Sequence, residues 1–207
     1  MIKNIVFDMG GVLLHYSPAH FIDLLSVNED DKLRLMREVF QTVEWFQMDR
    51  GTITEPAASA AMKKNLPPHL HSAVDRLIEW WKLELRPMEG MAELLAELKG
   101  LGCRLYLLSN ATVRQPEYFP RLPASQYFDG QLVSAFYQLL KPQREIYETL
   151  LRKFDLKAEE CFFVDDSLAN VEGAYCVGIS GTVFDGDVKR LREVLQRAGI
   201  PLRPEQN

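Results

Sequence analysis

Short apolar runs recur along the chain at residues 2–7, 103–108, 131–134, 161–164 and 179–183, and helical patterns separate most of them. Runs of that length read as strands. Residues 88–98 place Met91, Leu94, Leu95 and Leu98 on one helical face, and Gly102 follows as a stop. Pro142 opens another helix at a position that tolerates proline, with Ile146, Tyr147, Leu150 and Leu151 as its buried side. Further helices are expected over residues 167–176 and 186–198. Strands alternating with helices predict an α/β fold, a Rossmann-like parallel sheet flanked by helices.

Residues 15–85 break this rhythm and carry no strand pattern. Ser17-Pro18 reads as a helix cap and first turn. Asn28 with Asp31 resembles a capping box before Leu33, Met36 and Phe40. Thr54-Glu55-Pro56 opens an Ala-rich helix to Lys64, and a further helix is expected over 70–85 with Trp80 and Trp81. A connection between the first two strands needs only ~10–12 residues, so this segment is an insert, expected to stand over the carboxyl edge of the sheet. The predicted organisation is a core of residues 1–14 and 86–207 with a helical cap at 15–85.

Asp8 closes the first apolar run and leads into Met9-Gly10-Gly11, a turn too small to cover it. Asp165-Asp166 closes the fourth run and leads into Ser167. Open α/β sheets bind ligands at that edge, and hard cations such as Mg²⁺ take oxygen ligands. The pair could instead serve a helix N-terminus, which accounts for one carboxylate and leaves the other. Ser109-Asn110 alone fits a turn, and Lys141 alone fits a surface lysine.

With 47% hydrophobic and 26% charged residues the composition is that of a globular protein. A net charge of −5 without a Lys/Arg run argues against nucleic acid or an anionic membrane as partner. No apolar stretch reaches the ~20 residues of a bilayer span. The N-terminus lacks a basic-then-apolar leader pattern, and a cytoplasmic location is expected. The odd number of cysteines (Cys103, Cys161 and Cys176) fits buried reduced thiols.

Four motifs now stand in order across nearly the whole chain. They are Phe7-Asp8-Met9-Gly10-Gly11-Val12-Leu13; Leu107-Leu108-Ser109-Asn110; Lys141-Pro142 with Glu145-Ile146-Tyr147; and Phe162-Phe163-Val164-Asp165-Asp166-Ser167 with Asn170, Glu172, Gly173 and Ala174. In these the chain resembles the haloacid dehalogenase superfamily, in the branch with a helical cap after the first strand. Its pattern is similar to small sugar-phosphate phosphatases and to the phosphatase domain of soluble epoxide hydrolase. The resemblance implies Mg²⁺-dependent hydrolysis of a small phosphomonoester, with a sugar phosphate as the expected substrate. Asp8 would be the nucleophile and form an acyl-phosphate. Asp8, the Gly10 carbonyl and Asp166 would hold the metal, with Asp165 near it or acting through water. Ser109, the Asn110 amide and Gly10 would meet the phosphate, and Lys141 would set a fixed positive charge against phosphate and nucleophile.

One position departs from the pattern. Most phosphatases of this superfamily carry a second Asp two residues after the nucleophile as general acid/base, a group that contributes ~10²–10⁴-fold. Here that residue is Gly10. Either the cap supplies a substitute (His15, Glu44 and Asp49 are the candidates), or the leaving group needs little protonation, or the enzyme is slow. Some sugar-1-phosphate phosphatases of the branch also have glycine there, which favours retained activity. Arg50, in the stretch 44–51, could reach a sugar hydroxyl or a second phosphate, whereas Trp45 and Phe46 belong either to that specificity loop or to the cap core. The alternatives are a non-catalytic phospholigand binder and a dehalogenase; Asp165-Asp166 tells against the second. The expected partner is a small phosphorylated metabolite, and the expected state a monomer or weak homodimer.

Overall fold

A computed structural model describes residues 1–203. Strand β1 (Asn4–Phe7) is followed by helices α1 (Pro18–Asp23), α2 (Glu29–Leu35), α3 (Val43–Arg50), α4 (Glu55–Lys63) and α5 (His71–Ile78). Then come α6 (Met91–Gly100), β2 (Arg104–Ser109), the short α7 (Gln115–Tyr118), β3 (Gly130–Val133) and α8 (Arg144–Phe154). The chain finishes with β4 (Cys161–Asp165), α9 (Leu168–Tyr175), β5 (Ser180–Val183) and α10 (Val188–Arg197).

All five strands are parallel, in the order β3-β2-β1-β4-β5. The chain builds outward from β1 through β2 to β3, then returns to lay β4 on the other side of β1. The crevice between β1 and β4 is therefore the switch point of the sheet, where ligands bind in such folds. Register sharpens this: Phe7 pairs with Val164, and the Asp8 N–H donates to the Val164 carbonyl at 2.9 Å. Asp8 and Asp165 thus leave adjacent strands at the same level.

Side chains alternate across the sheet. Ile5, Phe7, Leu105, Leu107, Phe162 and Val164 join the larger apolar cluster with α6, α10 and the helical insert. Val6, Tyr106, Leu108, Cys161 and Phe163 join the smaller one with α8 and α9. Strands buried on both faces explain why β1 and β4 read as continuous apolar runs.

The insert begins and ends with local signals. Ser17, Asn28, Thr42 and Thr54 each cap a helix by accepting the backbone N–H three residues on. The helix expected over 70–85 does not run through: α5 stops at Ile78, Glu79 leaves helical geometry, and Trp80–Lys82 form a 3₁₀ turn. Trp80 and Trp81 are both buried, Trp80 stacked on Phe21 and Trp81 on Tyr118, so ring packing on two sides covers the turn. Residues 36–40 form a π turn. Cys103 and Cys161 are buried thiols as expected, but Cys176, the C-cap of α9, is exposed. Where the insert leaves and rejoins the sheet, Leu14 bridges Pro87, and the His15 N–H donates to the Arg86 carbonyl at 2.9 Å.

Candidate active site

Lys141 organises the crevice. Its Nζ lies 2.8 Å from Asp8 Oδ1 and 2.6 Å from Asp165 Oδ2, and donates to the Leu108 carbonyl at 2.9 Å. All three charged side chains are buried, so each depends on the others for compensation. Burial opposes the ammonium, yet Asp8 and Asp165 together hold its pKa above the ordinary lysine range. Asn110 positions the Lys141 backbone: its Oδ1 accepts the Lys141 N–H at 2.9 Å, and its Nδ2 donates to the Lys141 carbonyl at 3.1 Å. The Asn110 side chain is thereby committed to the protein.

Asp165 is fully engaged. Oδ1 accepts from the Ser167 N–H at 2.8 Å and from Asn170 Nδ2 at 2.9 Å, while Oδ2 faces Lys141. Asp166 is exposed and makes no ion pair or side-chain hydrogen bond among the described residues. One oxygen from each of Asp8, Asp165 and Asp166 lies within 4.8 Å of the other two. Burial pushes the Asp8 carboxyl up to about 7, against the pull of Lys141 and with the repulsion of Asp165. Although Asp166 is exposed as a residue, its carboxyl is partly desolvated, and that together with the Asp165 charge raises it. An oxygen-only donor set with crowded negative charge suits a hard divalent cation, which reverses such shifts.

Gly11 makes this packing possible. Its φ is +74°, and a Cβ there would fall 2.1 Å from Asp166 Oδ2. At Gly10 a Cβ would meet only the Tyr16 side chain, at 3.4 Å.

A cavity of about 350 Å³ opens above these groups. Asp8, Gly10, Ser109, Asn110 and Asp166 form one end. Tyr16, Phe40, Trp45, Trp80, Trp81 and Tyr118 supply an aromatic wall, with Phe46 and Asp49 also lining it. The rings brace one another: Trp81 stacks on Tyr118 at 5.1 Å between centroids, Tyr16 meets Trp80 edge-on at 5.1 Å, and Phe40 meets Trp45 at 4.5 Å. Trp45 is thus both core and lining, whereas Phe46 is largely exposed.

The crevice and cavity gather Asp8, Gly10, Ser109, Asn110, Lys141, Asp165 and Asp166. They do not gather Arg50, Glu44 or His15. Arg50 follows Asp49 on α3, and one helical step turns it away from the face shared by Trp45 and Asp49, four residues apart. His15 lines an adjoining open groove instead. Burial and the Asp8 charge push the Asp49 carboxyl up to about 7. Tyr16 and Tyr118 carried no sequence motif; they come from the loop after β1 and from α7, and only the fold brings them together.

The sequence model of the haloacid dehalogenase-like hydrolases matches residues 2–178. The chain belongs to that family. Among haloacid dehalogenase-like relatives, it is 32% identical over 203 residues to the sesquiterpene phosphatase astK of Aspergillus oryzae, covering 95% of this chain and 97% of that one. It is 24% identical over 180 residues to a glyceraldehyde 3-phosphate phosphatase of Methanocaldococcus jannaschii, covering 80% and 77%. Its fold matches a HAD family enzyme of Bacteroides thetaiotaomicron crystallised with magnesium and inorganic phosphate, at TM-score 0.71 and 21% identity, over 92% of this chain and 99% of that one. As a haloacid dehalogenase-like hydrolase the chain is an enzyme, and several of its relatives are named phosphatases. Among the described residues no helix is long and apolar enough to cross a membrane.

Proposed function

We propose that the chain is a Mg²⁺-dependent phosphatase that hydrolyses a small phosphomonoester through an aspartyl-phosphate on Asp8, with residues 15–85 as its cap. The observation that carries this is the meeting of Asp8, Lys141, Asp165 and Asp166 at the β1/β4 switch point. Asp8, Asp166 and the Gly10 carbonyl would hold the cation. Asp165, saturated by protein donors, fits a contact through water. When bound, Mg²⁺ offsets the repulsion between nucleophile and phosphate and the charge that develops in transfer.

The chain's own groups do the rest. Lys141 keeps Asp8 oriented and offers positive charge to the phosphoryl oxygens. Ser109 and the Asn110 backbone amide complete the phosphate cradle, since the Asn110 side chain is spent on Lys141. The aromatic wall excludes water and grips the organic group. Free thiols agree with a cytoplasmic setting.

The wall bears on the substrate. A sugar phosphate, expected from the motifs, needs several polar partners for its hydroxyls, and Arg50 does not line the cavity. Rings dominate instead, and the similarity to a sesquiterpene phosphatase points the same way. We therefore favour the phosphate of an apolar, hydrocarbon-rich alcohol. The test is phosphate release from a panel of long-chain alkyl, terpenoid and sugar phosphates. Turnover should require Mg²⁺, vanish in Asp8→Asn and rank the apolar esters first by kcat/KM. A sugar phosphate ranked first would reverse the substrate assignment, and binding without turnover would leave a phospholigand-binding protein.

A further inference from the structure

We propose that Asp49, carried by the insert, is the general acid/base that Gly10 does not provide; the proposal rests on the phosphatase reading above. Of the three substitutes raised by the sequence, Asp49 alone lines the cavity that holds Asp8. Its carboxylate makes no hydrogen bond or ion pair among the described residues. Its backbone is fixed: the Asp49 carbonyl accepts from Ser134 Oγ at 2.5 Å, and the same Oγ accepts from the Ala111 N–H at 2.9 Å. Asp49 is thus tied to the loop that follows Ser109, at the phosphate end of the cavity.

The surroundings suit the role. The Asp8 charge acts on Asp49, and Asp49 in turn acts on the phenols of Tyr16 and Tyr118. None of these groups is a cation, and burial holds both phenols above their ordinary range. A carboxyl pushed up to about 7 is substantially protonated near neutrality and close to the optimum for donating and recovering a proton.

The steps balance. An Asp8 oxygen attacks phosphorus, the ester P–O bond breaks with its electron pair passing to the leaving oxygen, and the Asp49 proton moves to that oxygen, releasing the alcohol. Asp49, now a carboxylate, takes a proton from water as the water oxygen attacks the aspartyl-phosphate. The acyl P–O bond breaks with its pair returning to Asp8, phosphate leaves, and Asp49 is again protonated. An alkoxide is a poor leaving group, so an apolar aliphatic ester needs this donor more than an activated ester does.

The experiment compares kcat/KM for a saturated alkyl phosphate and for para-nitrophenyl phosphate, whose phenolate leaves unaided. Asp49→Asn should lower the alkyl value by ~10²–10⁴-fold and the aryl value far less. Gly10→Asp in the Asp49→Asn background should recover part of the alkyl activity, because a Cβ at Gly10 is in ordinary contact with Tyr16 and does not clash with backbone. An equal loss for both esters would make Asp49 a substrate-positioning or structural residue and overturn the proposal. So would an unchanged ratio, or a leaving-group-selective loss in Tyr118→Phe instead. If the wild-type protein hydrolyses neither ester while Asp8→Asn behaves identically, the phosphatase reading itself fails, which is a separate result.

Discussion

Gly11 holds its place for two reasons at once. Its positive φ costs any other residue roughly 1–3 kcal/mol, and the space where a Cβ would stand is taken by the Asp166 carboxylate. Gly11→Ala must move Asp166, the least encumbered acid of the cluster. We expect Mg²⁺ affinity measured by calorimetry to fall ~10–100-fold, the range seen when a ligand loses its support. Unchanged affinity would mean that Asp166 does not hold the cation. Gly10, one residue earlier, is different in kind: nothing in its backbone requires glycine, so its lack of a side chain is a chemical feature of the site.

Among the elements, α3 matters most, because its carboxyl end is pinned to the core. Ser134, wholly buried at the end of β3, joins the Asp49 carbonyl to the Ala111 N–H. Gly51 lies so close to Ala135 that a Cβ would come within 2.2 Å of its carbonyl oxygen. Ser134→Ala strands a buried N–H, worth ~1–3 kcal/mol, and a half-buried carbonyl that costs less. Thermal melts should drop by several degrees, at roughly 2–4 °C per kcal/mol for this chain length, and kcat/KM should fall with it. A melt unchanged to within a degree would show the latch to be unimportant. Such contacts were not legible in the sequence. Strand ends were, because Asp8, Ser109 and Asp165 each follow an apolar run that only a doubly covered strand explains. Capping side chains announced the starts of α1, α2 and α4. The break at Glu79 was hidden because the helical period ran on through Trp80 and Trp81, and tertiary packing overrode it. Arg50 looked like the reaching residue of its stretch, but the phase of α3, fixed by Trp45 and Met48 burying themselves, gave the cavity to Asp49.

For the whole molecule, the site works against stability when no cation is bound. Asp8 and Asp49 sit at about 7 in the folded chain against 3.8 for an exposed aspartate. Between those values the native state holds more protons than the unfolded one, so stability falls as pH rises and levels off above about 7. Asp31, Asp75, Glu97, Asp129, Glu160 and Asp185 are shifted the other way, and their contribution is lost only as pH falls below their ordinary range. Chelator-treated protein should therefore melt lower at about pH 8 than at about pH 5, and Mg²⁺ should recover more of the melt at the higher pH. A melt that rises over that interval without metal would contradict the assigned burial of these acids.

The short bridge between Leu14 and Pro87 has a consequence for how such a molecule can change over evolutionary time. Because the polypeptide departs from the sheet and comes back at a single stitched seam, lengthening, trimming or exchanging what lies between need not disturb the spacing of Asp8 from Asp165. Phosphoryl chemistry and the choice of alcohol are then separable inheritances. If Asp49 is the proton donor, one part of the chemistry lies across that seam, and a graft of another relative's helices would have to bring its own acid.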